Sequence, residues 1–157
     1  MPVLQTQTDP ASAPFAQHRQ QMLALVEGFR ELERRVRDTS NAMEARFRAR
    51  GQLLPRERLA RLLDRGSPWL ELSTLAGLRM HDDDGEKNVL GGGIITGIGI
   101  VSGVRCMVLA SDSAIKGGTI TPMGLRKSLR AEAIALENKL PVVRLVESGG
   151  EIGRAHV

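Results

Sequence analysis

Two glycine-containing segments hold the residues whose types and spacing could support chemistry. In the first, "AIKGGT", Lys116 lies beside Gly117 and Gly118, just before a Thr121–Pro122 pair that predicts a helix start. Glycines expose backbone N–H groups, a helix N-terminus adds positive potential, and the lysine adds a point charge. This combination favours an anion such as a phosphate. A Walker loop is excluded because GxxxxGK[ST] is absent, and a purely structural role for the glycines stays open.

The second segment, "ESGG", places Ser148, Gly149 and Gly150 after an apolar run. Consecutive N–H groups in such a turn can point toward a developing oxyanion. An ordinary tight turn is the alternative. Ser148 is not predicted to be a nucleophile, because no GxSxG motif frames it. None of the 3 histidines lies at a useful spacing from an acid, so a histidine-based hydrolase has no support.

The chain before these segments is predicted to be helical. Apolar residues recur every three or four positions over residues 14–37, and shorter helical patterns cover residues 41–49 and 55–66. Gly51 is suited to end the second helix, and Pro55 is suited to the first position of the third. We expect amphipathic helices that pack on a larger body.

Short strands are predicted after "GSP". "WLEL" is a strand candidate, and "GGGIITGIGIVSGVRCMVLASD" predicts two strands joined by an "SG" turn. The helix that starts at Thr121–Pro122 ends before Pro141, and "VVRLV" predicts a further buried strand. The predicted apolar stripe of that helix consists of Leu125, Leu129, Ala133, Leu136 and Leu140. This order of elements predicts a mixed sheet covered by helices.

Composition excludes several classes of protein. Hydrophobic residues make up 41% and charged residues 25% of the 157 residues, as in ordinary globular proteins. The net charge is only +4, the acids are interleaved with the arginines, and Tyr is absent, so a nucleic-acid surface is not expected. No apolar run approaches the ~18 residues of a membrane span. The N-terminus lacks the pattern of a secretion signal or a transit peptide, which leaves the cytoplasm as the expected compartment.

Neither a disulfide nor a metal site is expected. The single cysteine, Cys106, lies in an apolar run and predicts a buried thiol. The acidic segment "HDDDGEKN" predicts a solvated loop rather than a cation site, because no ligand spacing repeats.

The order of the motifs resembles the carboxyltransferase (beta) subunit of biotin-dependent acyl-CoA carboxylases, of the methylcrotonyl-CoA or geranyl-CoA type. "RGxLLPRER", "GGIITGIGxVSG", "KGGT" and "LVxSGG" occur in that order, and the resemblance covers about residues 14–150. It implies a crotonase-like (ClpP/crotonase) α/β fold of stacked β-β-α units, incomplete here and preceded by amphipathic N-terminal helices. The implied divisions are a loose N-terminus at 1–12, a helical segment at 13–66, the first part of the acyl-CoA carboxyltransferase N-terminal domain at 67–150, and a tail at 151–157.

The resemblance also implies an activity, in which carboxylate moves from carboxybiotin to a branched unsaturated acyl-CoA. Backbone N–H groups would hold the enolate oxygen. The implied partners are a biotin carboxylase and biotin carrier (alpha) subunit, which supplies the biotin, and further copies of the full-length protein. No nucleic acid, membrane or metal is implied. The implied acyl-CoA-binding candidates are Lys116, Gly117, Gly118, Thr119, Arg126, Lys127, Arg130, Ser148, Gly149 and Gly150.

The sequence departs from the family in ways that limit these expectations. The family's "CAGGA"-like oxyanion turn and its biotin-side domain are absent, so no complete catalytic site is expected and the 157-residue chain itself is expected to be inactive. "KGGTITP" replaces a "KGGTYYP" typical of methylcrotonyl enzymes, which leaves the acyl group open. Two other readings also stay open: a non-catalytic acyl-CoA or phosphate-binding module, and a propionyl-CoA-type carboxylase subunit.

The last segment, "EIGRAHV", has no periodicity and follows the "SGG" turn directly. A common sequencing adapter begins AGATCGGAAGAGCACACGTC, and with one G in front it translates into these same residues, followed by a stop triplet. We therefore predict that residues 151–157 are translated adapter and that the natural protein continues after Gly150.

Overall fold

The computed structural model describes residues 6, 8–80 and 89–148. The predicted acidic loop, the two glycines of "SGG" and the predicted adapter tail lie outside the described residues. The chain divides into two compact units, Met1–Arg34 and Arg35–Val157. The helices are α1 (Ala13–Asn41), α2 (Glu44–Ala49), α3 (Pro55–Leu62) and α4 (Pro122–Glu137), and the strands are β1 (Leu70–Leu72), β2 (Ile94–Val101), β3 (Val104–Ser111) and β4 (Val142–Leu145).

The first unit contains most of helix α1. Arg34 forms ion pairs with Glu27 at 2.9 Å and Glu31 at 2.7 Å, contacts that stabilise the polar side of an exposed helix modestly. The helix is amphipathic, as predicted, but the large side chains of its apolar side are exposed. These exposed side chains are Met22, Leu23, Leu25 and Phe29.

The second unit is built on a four-stranded mixed sheet in the order β1-β2-β3-β4. Strands β1, β2 and β3 are antiparallel, and β4 is parallel to β3 because α4 carries the chain back across the sheet. The predicted hairpin is confirmed, with Val101 opposite Val104. The carboxylate of Asp64 accepts hydrogen bonds from the backbone N–H of Ser102 at 2.8 Å and of Gly103 at 2.7 Å, which fixes the turn.

Strand β3 is the centre of the core. Its side chains alternate between the two faces of the sheet, so Cys106 and Val108 pack toward Leu59 of α3, while Met107 packs toward Ala131 of α4. Met107 and Val108 are fully buried. The thiol of Cys106 is buried, as predicted.

Helix α4 buries a different face from the predicted one. Leu125, Leu129 and Leu136 of the predicted stripe are exposed. The buried positions carry mostly small side chains, which allow the helix backbone to approach the sheet closely. They are Gly124, Lys127, Ala131 and Ala135. The prediction failed because it assigned the buried face to the largest apolar residues.

The prediction that "VVRLV" forms a buried strand is half right. The strand exists as β4, but Val142 is 44% exposed, and Val146, just beyond its end, is 74% exposed. The reason is that β4 is an edge strand of the described sheet and has a hydrogen-bonded neighbour only in β3.

Candidate functional site

The "KGGT" segment forms a tight turn with left-handed backbone. Lys116, Gly117 and Gly118 have φ angles of 46°, 65° and 76°. The hydroxyl of Thr119 donates a hydrogen bond to the carbonyl oxygen of Lys116 at 3.0 Å, which holds the turn closed. A lysine in this region of φ is uncommon, and such strained positions concentrate at functional sites.

Gly118 brings the two candidate segments together. A Cβ atom at Gly118 would overlap the carbonyl oxygen of Glu147 and lie 3.3 Å from Cα of Ser148. Glycine is therefore required by the close approach of the "KGGT" turn to the backbone that precedes "SGG". Gly149 and Gly150 themselves lie outside the described residues.

Glu147 anchors this backbone segment. Its carboxylate accepts a hydrogen bond from the hydroxyl of Ser113 at 2.8 Å and forms an ion pair with Arg58. Arg58 belongs to α3 and is the second arginine of the "LLPRER" motif. Helix α3 begins at Pro55, as predicted, and the carboxylate of Glu57 accepts a hydrogen bond from the backbone N–H of Leu54 at 2.9 Å. The helix thus holds Arg58 in a fixed position.

A cavity of about 750 Å³ lies beside the two segments. One part of its wall comes from α2 and the residues that flank it, and the other part comes from the two candidate segments. Its lining residues are Met43, Arg46, Phe47, Arg50, Gln52, Ser113, Ala114, Lys116, Gly117, Glu147 and Ser148. Cavities of this size suit small-molecule ligands.

Two of these lining residues, Arg46 and Arg50, were missed by sequence reasoning. Arg46 lies on α2 and Arg50 directly follows its last residue, but nothing local indicates that this part of the chain lies near the "KGGT" turn. The intervening Arg48 is different: its guanidinium bonds Glu57 at 3.0 Å and Glu44 at 3.1 Å, and the Glu57 hydrogen bond, followed by that of Glu44, raises its pKa.

The three basic candidates on α4 are separated by the fold. Arg126 and Arg130 are exposed and do not line the cavity, whereas Lys127 is only 5% exposed. The ammonium group of Lys127 donates a hydrogen bond to the carbonyl oxygen of Gly91 at 3.1 Å. Burial lowers the pKa of Lys127 to about 8. The ammonium group of Lys127 therefore interacts with the protein interior and is not presented at the surface.

The interior around Lys127 is a compact group of paired charges. Both carboxylate oxygens of Glu71 accept hydrogen bonds from Arg56 at 2.8 Å. Burial acts to raise the pKa of Glu71, but the Arg56 hydrogen bonds bring that pKa below its ordinary value. Asp112 accepts a hydrogen bond from Ser40 at 2.9 Å, and burial raises its pKa.

This interior group supports a run of three glycines before β2. Gly91, Gly92 and Gly93 all have positive φ, at 78°, 72° and 69°. The carbonyl oxygen of Gly92 accepts a hydrogen bond at 3.0 Å from the hydroxyl of Thr121. That hydroxyl also accepts one from the backbone N–H of Gly124 at 2.9 Å, so Thr121 is the N-cap of α4, as predicted. The glycine run is thereby fixed to the start of α4.

Two classes of site are not found in the described part of the chain. No group of three or more His, Cys, Asp or Glu side chains among the described residues is placed to hold a metal ion. No helix within the described ranges is long and apolar enough to cross a membrane.

The fold and the site together identify the class of protein. The family described as "Carboxyl transferase domain" matches residues 46–156, and the chain belongs to this family. Its fold is the predicted crotonase-like α/β fold: the crystal structure of transcarboxylase 12S, with methylmalonyl-coenzyme A and methylmalonic acid bound, superposes with a TM-score of 0.71 at 25% identity, over 82% of this chain and 26% of that one.

Within the family the chain is similar to two named kinds of subunit. The beta subunit of geranyl-CoA carboxylase from P. aeruginosa is 58% identical, with a TM-score of 0.85 over 95% of this chain and 28% of that one. The probable mitochondrial methylcrotonoyl-CoA carboxylase beta chain of Drosophila melanogaster is 44% identical over 94% of this chain and 25% of its own. A biotin-dependent 3-methylcrotonyl-coenzyme A carboxylase beta1 subunit from Mycobacterium tuberculosis is 55% identical over 65% of this chain and 18% of its own. The matched part of the chain spans 18–28% of the length of these relatives.

Proposed function

We propose that the full-length protein is the carboxyltransferase (beta) subunit of a biotin-dependent acyl-CoA carboxylase. It transfers carboxylate from carboxybiotin to a branched unsaturated acyl-CoA, of the methylcrotonyl-CoA or geranyl-CoA type. The observation that carries the proposal is the contact between Gly118 and Glu147, which puts the "KGGT" turn and the approach to "SGG" on the wall of one cavity. In a chain of this family, such a cavity is the best candidate for part of the coenzyme A ester site.

The described residues contribute binding and orientation rather than covalent chemistry. We propose that Lys116, Gly117, Gly118 and Thr119 hold part of the coenzyme A ester, with Ser148 at the acyl side. The N–H groups of Gly149 and Gly150 would face the acyl group and stabilise negative charge as it develops there. Preorganised backbone donors of this kind need no side-chain nucleophile, in agreement with the absence of a GxSxG motif.

The remaining basic candidates take different roles. Arg126 and Arg130 are exposed on α4 and stay candidates for contact with coenzyme A outside the cavity. Lys127 stabilises the glycine run before β2 through its hydrogen bond to the carbonyl oxygen of Gly91.

Biotin is assigned to none of the described residues; it would be brought as carboxybiotin by a partner alpha subunit. Self-association of the beta subunit and a cytoplasmic location belong to the same proposal, as do the domain boundaries at residues 12, 66 and 150.

The substrate class rests on the relatives. The geranyl-CoA and methylcrotonyl-CoA subunits are 44–58% identical, whereas a putative propionyl-CoA carboxylase beta chain from Bacillus subtilis is 33% identical over 68% of this chain. This difference favours a branched unsaturated acyl group over propionyl.

The test is an assay of the full-length subunit with its alpha partner, ATP and labelled bicarbonate. Methylcrotonyl-CoA, geranyl-CoA and propionyl-CoA are supplied in parallel. We expect label in one of the first two acyl-CoAs at a rate well above that for propionyl-CoA. Preference for propionyl-CoA would move the protein to the other carboxylase type, and acyl-CoA binding without transfer would reduce it to a binding module.

A further inference from the structure

A small cavity of about 10 Å³ lies in the interior around Lys127, apart from the larger cavity beside the "KGGT" turn. Four charged residues line this interior cavity together with part of the glycine run: Arg56, Glu71, Asp112 and Lys127. The two cations and the two carboxylates balance each other. The wall is therefore polar, unlike the apolar cavities that stay dry inside proteins.

Lys127 brings more hydrogen-bond donors to this wall than its neighbours use. An ammonium group has three N–H donors, and that of Lys127 donates to the carbonyl oxygen of Gly91 at 3.1 Å. No other group in the described part of the chain accepts a hydrogen bond from it. Because the residue is only 5% exposed, bulk water does not supply the remaining acceptors. A charged donor that stays without an acceptor in the interior is costly.

The two carboxylates line the same cavity without touching the ammonium group. Among the described residues, neither Glu71 nor Asp112 lies within ion-pair distance of Lys127. Burial lowers the pKa of Lys127, and the attraction of both carboxylates acts in the opposite direction. Both carboxylates keep acceptor capacity, since a carboxylate offers about four lone-pair positions. Glu71 accepts two hydrogen bonds from Arg56, and Asp112 accepts one from Ser40 and one from a backbone N–H. Charged groups that face each other across such a gap are commonly bridged by water.

We propose that this cavity binds one ordered water molecule, which accepts a hydrogen bond from Lys127 and donates one to Glu71 and one to Asp112. The inference does not rest on the proposed function. The cavity volume of about 10 Å³ is at the lower end of the roughly 10–15 Å³ that one water needs, and about three hydrogen bonds are typical of a buried water. An anion is disfavoured because the carboxylates already balance the two cations.

The bound water connects α4 to the segment that leads into the "KGGT" turn. Asp112 directly follows β3, and its N–H donates to the carbonyl oxygen of Gly93 at 3.0 Å. The carbonyl oxygen of Asp112 accepts from the N–H of Ile115 at 2.9 Å, and Ile115 accepts from the N–H of Gly118 at 3.0 Å. A fixed carboxylate at Asp112 restrains the start of this chain of hydrogen bonds. Lys127 is thus a positioning residue that acts through the water.

Crystal structures of the full-length protein, at a resolution that shows ordered waters, test the water site. We expect one peak of density within hydrogen-bond distance of the ammonium group of Lys127 and of both carboxylates. Crystals grown with bromide distinguish a water from an anion, because bromide gives an anomalous signal and water gives none. The unaltered protein decides this part of the test, so it does not depend on the folding of a variant.

Hydrogen exchange of the same protein, followed by mass spectrometry, tests the positioning role. In Lys127→Met we expect the N–H groups of Ile115 and Gly118 to exchange about tenfold faster, the equivalent of one lost charged hydrogen bond. Lys127→Gln keeps an uncharged N–H donor and should restore part of the protection. Lys139→Met is the matched control, because it makes the same change at an exposed lysine. The Ser102–Gly103 turn, at the far end of β2 and β3, should not change.

Several results would overturn the inference. A cavity without density, or a direct contact between Lys127 and either carboxylate, would exclude the bridging water. An anomalous bromide signal at the site would replace the water by an anion. Unchanged exchange in Lys127→Met would show that Lys127 does not position the segment after Asp112, and equally faster exchange at the Ser102–Gly103 turn would show only a general loss of stability. In each case the proposed carboxyltransferase function is unaffected.

Discussion

Replacement of Gly118 by alanine tests the contact between the two candidate segments. The change adds a single methyl group at a residue with φ of 76°. That methyl group would overlap the carbonyl oxygen of Glu147, a backbone atom that no side-chain rotation can move away. Gly117, the residue before it, supplies the matched control: its φ is 65°, and a Cβ atom there meets nothing within 4 Å.

The expected magnitudes differ because only one of the two positions is crowded. A left-handed conformation costs an L-residue about 1–2 kcal/mol, and this cost applies to both variants. Overpacking against a fixed neighbour adds about 1–3 kcal/mol, and this cost applies to Gly118→Ala alone. We therefore expect Gly118→Ala to lower the free energy of unfolding by about 2–5 kcal/mol and Gly117→Ala by about 1–2 kcal/mol.

Urea unfolding followed by the fluorescence of Trp69 measures both values, because Trp69 is the single tryptophan and packs against the core around β3. The slope of the unfolding free energy against urea should be the same for the two variants, so that the midpoints compare directly. Coenzyme A affinity should fall in Gly118→Ala more than in Gly117→Ala. Equal loss of stability in the two variants would refute the contact, because it would leave only the backbone cost that they share.

Two further predictions concern the support of the site. Burial lowers the pKa of Lys127 to about 8 from its ordinary value of 10.5. Between these two pH values the unfolded chain binds more protons than the folded chain. The free energy of unfolding should therefore rise from about pH 8 to about pH 10, by up to roughly 3 kcal/mol. Urea titrations at several pH values should show that Lys127→Met removes this rise, and an unchanged rise would mean that another group causes it. Asp64→Ala leaves the N–H groups of Ser102 and Gly103 without their acceptor, so thermal unfolding should show a loss of about 1–2 kcal/mol. A variant as stable as the unaltered chain would show that water replaces the carboxylate without cost.

Local signals were sufficient for the elements that surround the site. The apolar run of β3, the Ser102–Gly103 turn and the Thr121 N-cap each have a sequence signal within a few neighbouring residues, and the structure has all three. The family could also be predicted from the sequence, because motifs of fixed spacing identify it without knowledge of the tertiary structure.

The surroundings of individual side chains could not be predicted from local sequence in the same way. The family resemblance implies that Lys127 contributes to the coenzyme A cleft, whereas the structure buries its side chain. Its burial depends on Glu71 and Asp112, which lie 56 and 15 residues away in the sequence and supply the opposite charges that make a buried ammonium tolerable. The same limit applies to Arg46 and Arg50, whose position beside the "KGGT" turn is a property of tertiary packing.

Glu147 explains why motifs far apart in the sequence belong to one site. Arg58 of the "LLPRER" helix neutralises its carboxylate, Ser113 orients that carboxylate, and Gly118 of the "KGGT" turn packs on its carbonyl oxygen. Three separate segments thus fix one residue directly before Ser148. A turn that presents N–H groups to a developing charge acts best when it needs no rearrangement during the reaction. The contacts of Glu147 thus make the "LLPRER" helix and the "KGGT" turn parts of one support for the backbone before Ser148.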